Sequence, residues 1–151
     1  MSARYPVMLD VSRLSVLVVG GGEVALRKVR ALVEAGGRPE IVSPEVHPEL
    51  LELIREHGLV WTQRAYEEGD ARGFDLVFAA TDSPDVNAHV ARVAAEGRAL
   101  VDVADEPRRS TFHVPACIRR DDVVVAFATG GASPLLARRL RERLESVVTP
   151  G

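Results

Sequence analysis

The strongest constraint on this chain is a change of period that repeats through residues 14–105. Short β-branched runs suit strands buried on both faces. They alternate with stretches whose apolar residues recur every three or four positions, as on one face of a helix. "LSVLVV", 14–19, reads as a strand. From Glu23 the period lengthens. Ala25, Val29, Leu32 and Val33 share a face, Arg27, Lys28, Arg30 and Glu34 point elsewhere, and Gly36-Gly37 stops the helix. "PEIVS", 39–43, is a second strand. Pro48 opens a helix with Leu50, Leu51, Leu53 and Ile54 on its apolar side, and Gly58 closes it. "LVWTQR", 59–64, and "FDLVFAAT", 74–81, are the third and fourth strands. Asp82 or Ser83 caps the next helix, Pro84 sits in its first turn, and Val86, Val90, Val93 and Ala94 form its buried stripe up to Gly97. "ALVDVAD", 99–105, is the fifth strand. The order β-α-β-α-β-β-α-β predicts an α/β fold, a mostly parallel sheet with helices on both faces.

The first strand runs into Gly20-x-Gly22-x-x-Ala25, a fit to G-x-G-x-x-[GA]. Gly20 permits the tight turn, Gly22 lets backbone approach a pyrophosphate, and Ala25 lets helix pack on strand. The helix start, at Glu23 and Val24, offers free N–H groups to phosphates. In this context the turn predicts a Rossmann-type doubly wound sheet that binds a dinucleotide. An acid is expected at the end of the second strand to hold the ribose. Ser43 stands there, followed by Pro44 and Glu45. No arginine at that point favours a 2′-phosphate, so NAD is expected over NADP. Thr81 and Asp82, after the fourth strand, lie at the carboxyl edge beside the cofactor crevice. Asp82 also serves as a helix cap on the plainer reading, and the two roles are compatible.

After residue 105 the character shifts. "EPRRSTFHVPACIRRDD" is rich in arginine and interrupted by proline, "VVVAFAT", 123–129, is another strand, and "GGASPLLARRLRERLESVV" forms a last helix. Ser133 is its N-cap, Pro134 its first residue, and Leu136, Leu140, Leu144 and Val147 line one face. Two parts are expected: 1–112, a nucleotide-binding Rossmann domain, and 113–151, a short α+β segment. The second part is too short to bury its own core and must lean on the first, or on a second copy of the chain.

Composition excludes other classes. A formal charge of −3 over 151 residues gives no basic footprint for nucleic acid. Cys117 is the only cysteine, which rules out an intramolecular disulfide, and His47, His57, His89 and His113 are scattered, so no metal site can be read. His113 and Cys117 read as packed structural residues. "MSARYPVMLDVS" lacks a signal-peptide pattern, and no apolar run is long enough to span a membrane, so a cytoplasmic chain is expected.

"VVGGGEVALRKVRALVEAG", "FAATDSPDVN", "VDVADEPRRSTFHVPA" and "ATGGASPLLARRLRERLE" occur in an order and spacing that resembles the N-terminal module of siroheme synthases. The resemblance runs from about Pro6 to Leu144 and rests most on "GG-x-SP-x-LAR". That module is precorrin-2 dehydrogenase, and in many members also sirohydrochlorin ferrochelatase. The resemblance implies that precorrin-2, a reduced tetrapyrrole polycarboxylate, gives a hydride to NAD⁺ and a proton to a base, yielding sirohydrochlorin. Iron insertion, which many members also perform, stays open. Longer members carry a further helical module beyond the last helix, whereas this sequence stops at "VVTPG". The family is typically a homodimer whose segment after the Rossmann domain crosses between subunits.

The resemblance also implies a catalytic Asp105. From the residues alone, Asp105 serves as well in a turn with Glu106-Pro107 or in a pair with Arg108. Asp102 is the nearby alternative, reaching the same face only with a distortion between 102 and 105. A polycarboxylate calls for arginine forks and oriented N–H groups. Arg108 and Arg109, Arg119 and Arg120, and Arg138 and Arg139 are available. The turn Thr129-Gly130-Gly131-Ala132-Ser133 before a helix is an expected anion nest given the resemblance, with an ordinary glycine turn and Ser cap as the plainer reading, and Arg138 and Arg139 read equally well as a solvated helix face. The expected substrate-binding set is Arg108, Thr129, Gly130, Gly131, Ser133 and Arg138. The rival reading is a non-catalytic, NAD-sensing Rossmann module. Such modules normally keep the acid at the second strand, where this chain has Ser43.

Overall fold

A computed structural model describes residues 4–130 and 133–148. The chain divides into two compact units, Met1–Phe112 and His113–Gly151.

The first unit is the α/β fold that the alternating periods predict. Strands β1 (Val16–Val19), β2 (Glu40–Val42), β3 (Trp61–Thr62), β4 (Leu76–Ala79) and β5 (Leu100–Val103) form one parallel sheet in the order β3-β2-β1-β4-β5. The chain leaves β1 toward β2 and β3, then returns to the other side for β4 and β5. The topological switch therefore falls between β1 and β4, where doubly wound sheets bind ligands at their carboxyl ends.

Alternation assigns the faces. Val16, Val18, Ile41, Leu76 and Phe78 point toward helices α1 (Glu23–Glu34) and α2 (Pro48–His57). Leu17, Val19, Val77, Ala79, Val101 and Val103 point toward α3 (Pro84–Glu96). The crossover through residues 63–75 has no helix and packs Tyr66, Ala71 and Phe74 against the α3 side. Strand ends are shorter than the apolar runs suggest. The expected third strand over 59–64 contracts to two paired residues.

One feature of this unit departs from the pattern. Lys28, expected off the buried face, turns inward. Its Nζ lies 2.6 Å from Asp102 Oδ2 and 5.5 Å from the centre of the Phe78 ring. Asp102 sits between Val101 and Val103 and so faces the α1 side, where a charge must be paired. Of the two caps expected for α3, the structure takes Ser83: its Oγ accepts from Val86 N–H, and Asp82 takes no part.

The second unit holds an antiparallel hairpin, β6 (Ala116–Arg120) and β7 (Val123–Phe127), and helix α4 (Pro134–Val147). β6 was not expected. "ACIRR" lacks a clear apolar alternation, but Arg120 pairs with Val123 across Asp121-Asp122, and Asp121 takes φ +49 in the tight turn. Ile118 is the one fully buried hydrophobic side chain among this unit's described residues. His113, expected to be packed, is exposed, and Cys117 is half-buried. Among the described residues, no helix is long and apolar enough to cross a membrane.

Candidate functional site

The backbone at the switch point is built around three glycines. Gly20 has φ +125, and a Cβ there would overlap the Ala80 carbonyl oxygen and lie 2.6 Å from its carbon. Only glycine lets β1 end this close to the end of β4. Gly21 is equally constrained, since a Cβ would strike the Glu45 carbonyl and come within 2.7 Å of Ser43 Oγ. Its own carbonyl accepts from His47 N–H at 2.7 Å, which ties the β2–α2 loop to the turn. Gly22 differs, because a Cβ there would meet nothing within 4 Å. Gly22 is the N-cap of α1 and supplies no side-chain cap, and the first helical bond is Leu26 N–H to Gly22 O. The N–H groups of Glu23 and Val24 therefore open onto free space at the positive end of a helix.

That space is a cleft of about 410 Å³ lined by Gly22, Glu23, Val24, Ala80, Thr81, Asp82, Ala104 and Asp105. The structure thus brings together Gly22, Glu23, Val24, Thr81, Asp82 and Asp105 from the sequence-derived set, with Gly20 shaping the floor.

The polar side chains fall into committed and free groups. Ser43 is buried, and its Oγ–H donates to Glu45 O at 2.6 Å, so its one donor is spent on backbone. Trp61 Nε1 donates to Ser43 O at 2.9 Å and locks the same loop from the sheet side. Pro44 and Glu45 are exposed, and the Glu45 carboxylate has no partner among the described residues. Thr81 is likewise committed. Its Oγ1 donates to Asn87 Oδ1 at 2.7 Å and accepts from Ser83 N–H at 3.2 Å. Asp82 is exposed and makes no hydrogen bond among the described residues.

Asp105 follows β5 in an exposed turn, and Asn87 Nδ2 donates to its Oδ1 at 3.0 Å. The pairing with Arg108 weighed from sequence is absent. Arg109 pairs instead with Glu106 at 2.5 Å, and Arg108 is exposed with no acidic partner among the described residues. Asp102, the alternative base, is held by Lys28 on the α1 side.

Sequence reasoning passed over Asn87. Its signal was present: positions 87, 90, 91 and 94 share one buried helical face, and Asn87 is the polar member. Gly21 was passed over too, hidden inside a three-glycine run whose fingerprint names only the outer two.

The remaining expected residues belong to the second unit. Ser133 Oγ accepts from Leu136 N–H at 3.2 Å and caps α4. Gly130 has φ +62, Thr129 is half-buried, and the exposed Arg138 pairs with Glu142 at 3.0 Å. Arg119 and Arg120 lie exposed on β6. Gly131 lies outside the described residues. Among the described residues, no three His, Cys, Asp or Glu side chains gather as metal ligands would.

Residues 7–116 match the family described as "Putative NAD(P)-binding". Siroheme synthase 3 of Aeromonas hydrophila subsp. hydrophila is 42% identical over 143 residues, a match spanning 95% of this chain and 31% of that protein. A siroheme synthase of Pseudomonas aeruginosa is 45% identical over 130 residues, spanning 86% and 28%. This chain therefore spans less than a third of the length of either relative. The solved structure of SirC, precorrin-2 dehydrogenase, superposes with a TM-score of 0.84 at 32% identity, covering 97% of this chain and 72% of that one.

Proposed function

The chain belongs to the NAD(P)-binding family and to the precorrin-2 dehydrogenases, and on that premise we propose that it oxidises precorrin-2 to sirohydrochlorin with NAD⁺ in siroheme biosynthesis. The single observation that carries the reading is the cleft at the switch point, where the open start of α1 and the Asp105 carboxylate line one cavity. A nucleotide fits it. Its pyrophosphate has room over Gly22 and unpaired N–H groups to meet it.

In this reading Gly22, Glu23 and Val24 receive the pyrophosphate through backbone, and Gly20, whose N–H donates to Val42 O at 3.0 Å, shapes the turn beneath it. Ser43 shapes the β2–α2 loop rather than touching the ribose, and Pro44 and Glu45 form the adenosine edge, with the Glu45 carboxylate toward the hydroxyls. Thr81 and Asp82 border the nicotinamide half. The bound nicotinamide supplies the hydride acceptor. The substrate gives up one hydride and one proton. Asp105 takes the proton, and one of its two oxygens carries no donor among the described residues. Alignment of substrate over the cleft supplies most of the rate advantage, since hydride transfer asks mainly for positioning.

The polycarboxylate substrate calls for cations. We propose Arg108 in the first unit, and in the second Thr129, Gly130, Gly131, Ser133 and Arg138, as its carboxylate-binding groups. A single buried side chain, Ile118, among the second unit's described hydrophobic residues supports a homodimer, and the proposed setting is the cytoplasm. Formation of NADH on adding anaerobically prepared precorrin-2 tests the reading. A protein that binds NAD⁺ and never forms NADH is a nucleotide-binding module instead.

A further inference from the structure

Asn87 is 1% exposed and uses its whole amide. Its Oδ1 accepts from Thr81 N–H at 3.0 Å and from Thr81 Oγ1 at 2.7 Å. Its Nδ2 donates to Thr81 O at 3.0 Å and to Asp105 Oδ1 at 3.0 Å. The chemistry fixes which end is which. The Thr81 backbone N–H can only donate, so the amide oxygen must face it, and the Thr81 carbonyl can only accept, so the NH₂ must face that. The second N–H is then left for Asp105, and a flipped amide would break several of these bonds at once.

We infer that Asn87 is a positioning residue for Asp105. It joins the β4–α3 loop to the turn after β5, the two walls of the cleft, past the last backbone bond between those strands, Ala104 N–H to Ala79 O at 3.0 Å. The donated N–H occupies Oδ1 and fixes the carboxylate plane. Oδ2 is then the oxygen left to meet substrate. Asp105 is exposed and follows its strand, so without this bond nothing among the described residues holds its side chain. The placement on Asn87 of an amide, rather than a carboxylate or an apolar group, follows. Aspartate would bring two acceptors together, and leucine would leave Thr81 unpaired. The inference rests on the dehydrogenase reading for its consequence, but not for the bond itself.

Two readouts test it, one of them independent of turnover. In nitrogen–proton NMR of the whole chain, the Asn87 side-chain amide signals are expected to follow the ionisation of Asp105 in the wild type and to lose that response in Asp105→Ala. An amide that ignores Asp105 overturns the inference, whatever the enzyme does. In kinetics, Asn87→Ala is expected to lower kcat roughly 10- to 100-fold with little change in KM, because misplacement of a reacting group is felt mainly in the chemical step. The same substitution in an Asp105→Asn background is expected to cost little more. Equal losses in both backgrounds mean a merely structural role and overturn the inference. Asn87→Asp keeps an acceptor for the Thr81 N–H and hydroxyl but sets a buried carboxylate oxygen against the Thr81 carbonyl and Asp105. It is expected to lose stability, read from a denaturant melt, as well as kcat, and full activity in a folded Asn87→Asp also overturns the inference. If wild type makes no NADH, the dehydrogenase reading falls and the NMR result alone decides the bond.

Discussion

Gly20 and Ala80 approach so closely that no side chain fits between them. A Cβ on Gly20 would overlap the carbonyl oxygen of Ala80, at a φ of +125 that other residues rarely adopt. This contact brings the end of β1 against the end of β4 and so makes the switch-point cleft. Gly20→Ala is expected to cost about 3 kcal/mol or more, from strain and overlap together. Gly22→Ala meets open space and is expected to change stability by less than about 1 kcal/mol. It is nonetheless expected to weaken NAD⁺ about tenfold or more, or ~1.4 kcal/mol, by filling the room the pyrophosphate needs. Urea melts and NAD⁺ titrations followed by Trp61 fluorescence separate the two effects. Equal stability losses at both positions would contradict this account.

Glu45 is expected to carry the choice between nucleotides, since the Ser43 hydroxyl is bound to Glu45 O. Glu45→Gln should narrow the preference for NAD⁺ over NADP⁺, while Ser43→Ala should leave the ratio of their Kd values nearly unchanged. A large shift in that ratio from Ser43→Ala would reverse the assignment.

The Lys28–Asp102 pair sets an asymmetric prediction. Lys28→Met leaves a nearly buried carboxylate alone and is expected to cost about 3 kcal/mol. Asp102→Leu is milder, about 1–2 kcal/mol, because the lysine can extend toward solvent. The double variant should return to within about 1 kcal/mol of wild type. Denaturant midpoints at neutral pH check all three, and additive losses would show that the pair is not the unit of stability.

Acid sensitivity follows from two aspartates. Arg64 grips Asp70 at 2.8 and 2.9 Å and holds its carboxyl below the ordinary 3.8. The Ser15 backbone N–H and hydroxyl do the same to Asp75. A depressed carboxyl contributes stability above its unfolded value that is lost as pH falls through the folded one. Both contributions should therefore be complete above about pH 4 and decline below 3.8. Asp70→Asn should cost about 1 kcal/mol at neutral pH and converge with wild type in acid, as a pH series of denaturation curves would reveal. A constant gap down to strong acid would contradict this.

The parts of this fold that were legible in sequence are the local ones. Period and capping residues mark the strands and α-helices of the first unit, because a helix face or a buried strand is written in neighbouring residues. The glycine turn is legible for the same reason. What stayed hidden depends on pairing across the chain. Lys28 looks solvated until Asp102, far along the sequence, proves to lie beneath it. Ser43 and Thr81 look like ligand-facing hydroxyls until their hydrogens are traced to Glu45 O and Asn87 Oδ1. Asn87 was overlooked because a stripe counted by apolar residues skips the polar one among them. β6 is held by its partner strand rather than by its own pattern.

The central claim is that the switch-point cleft oxidises precorrin-2 with Asp105 as the base. Its most direct measurement is an anaerobic spectrophotometric assay with precorrin-2 and NAD⁺, wild type beside Asp105→Asn, each with its NAD⁺ affinity measured. The account predicts NADH and sirohydrochlorin from wild type, and kcat lower by about 10²- to 10⁴-fold in Asp105→Asn with NAD⁺ binding intact. Wild type that binds NAD⁺ without turnover, or an Asp105→Asn variant as fast as wild type, would contradict it.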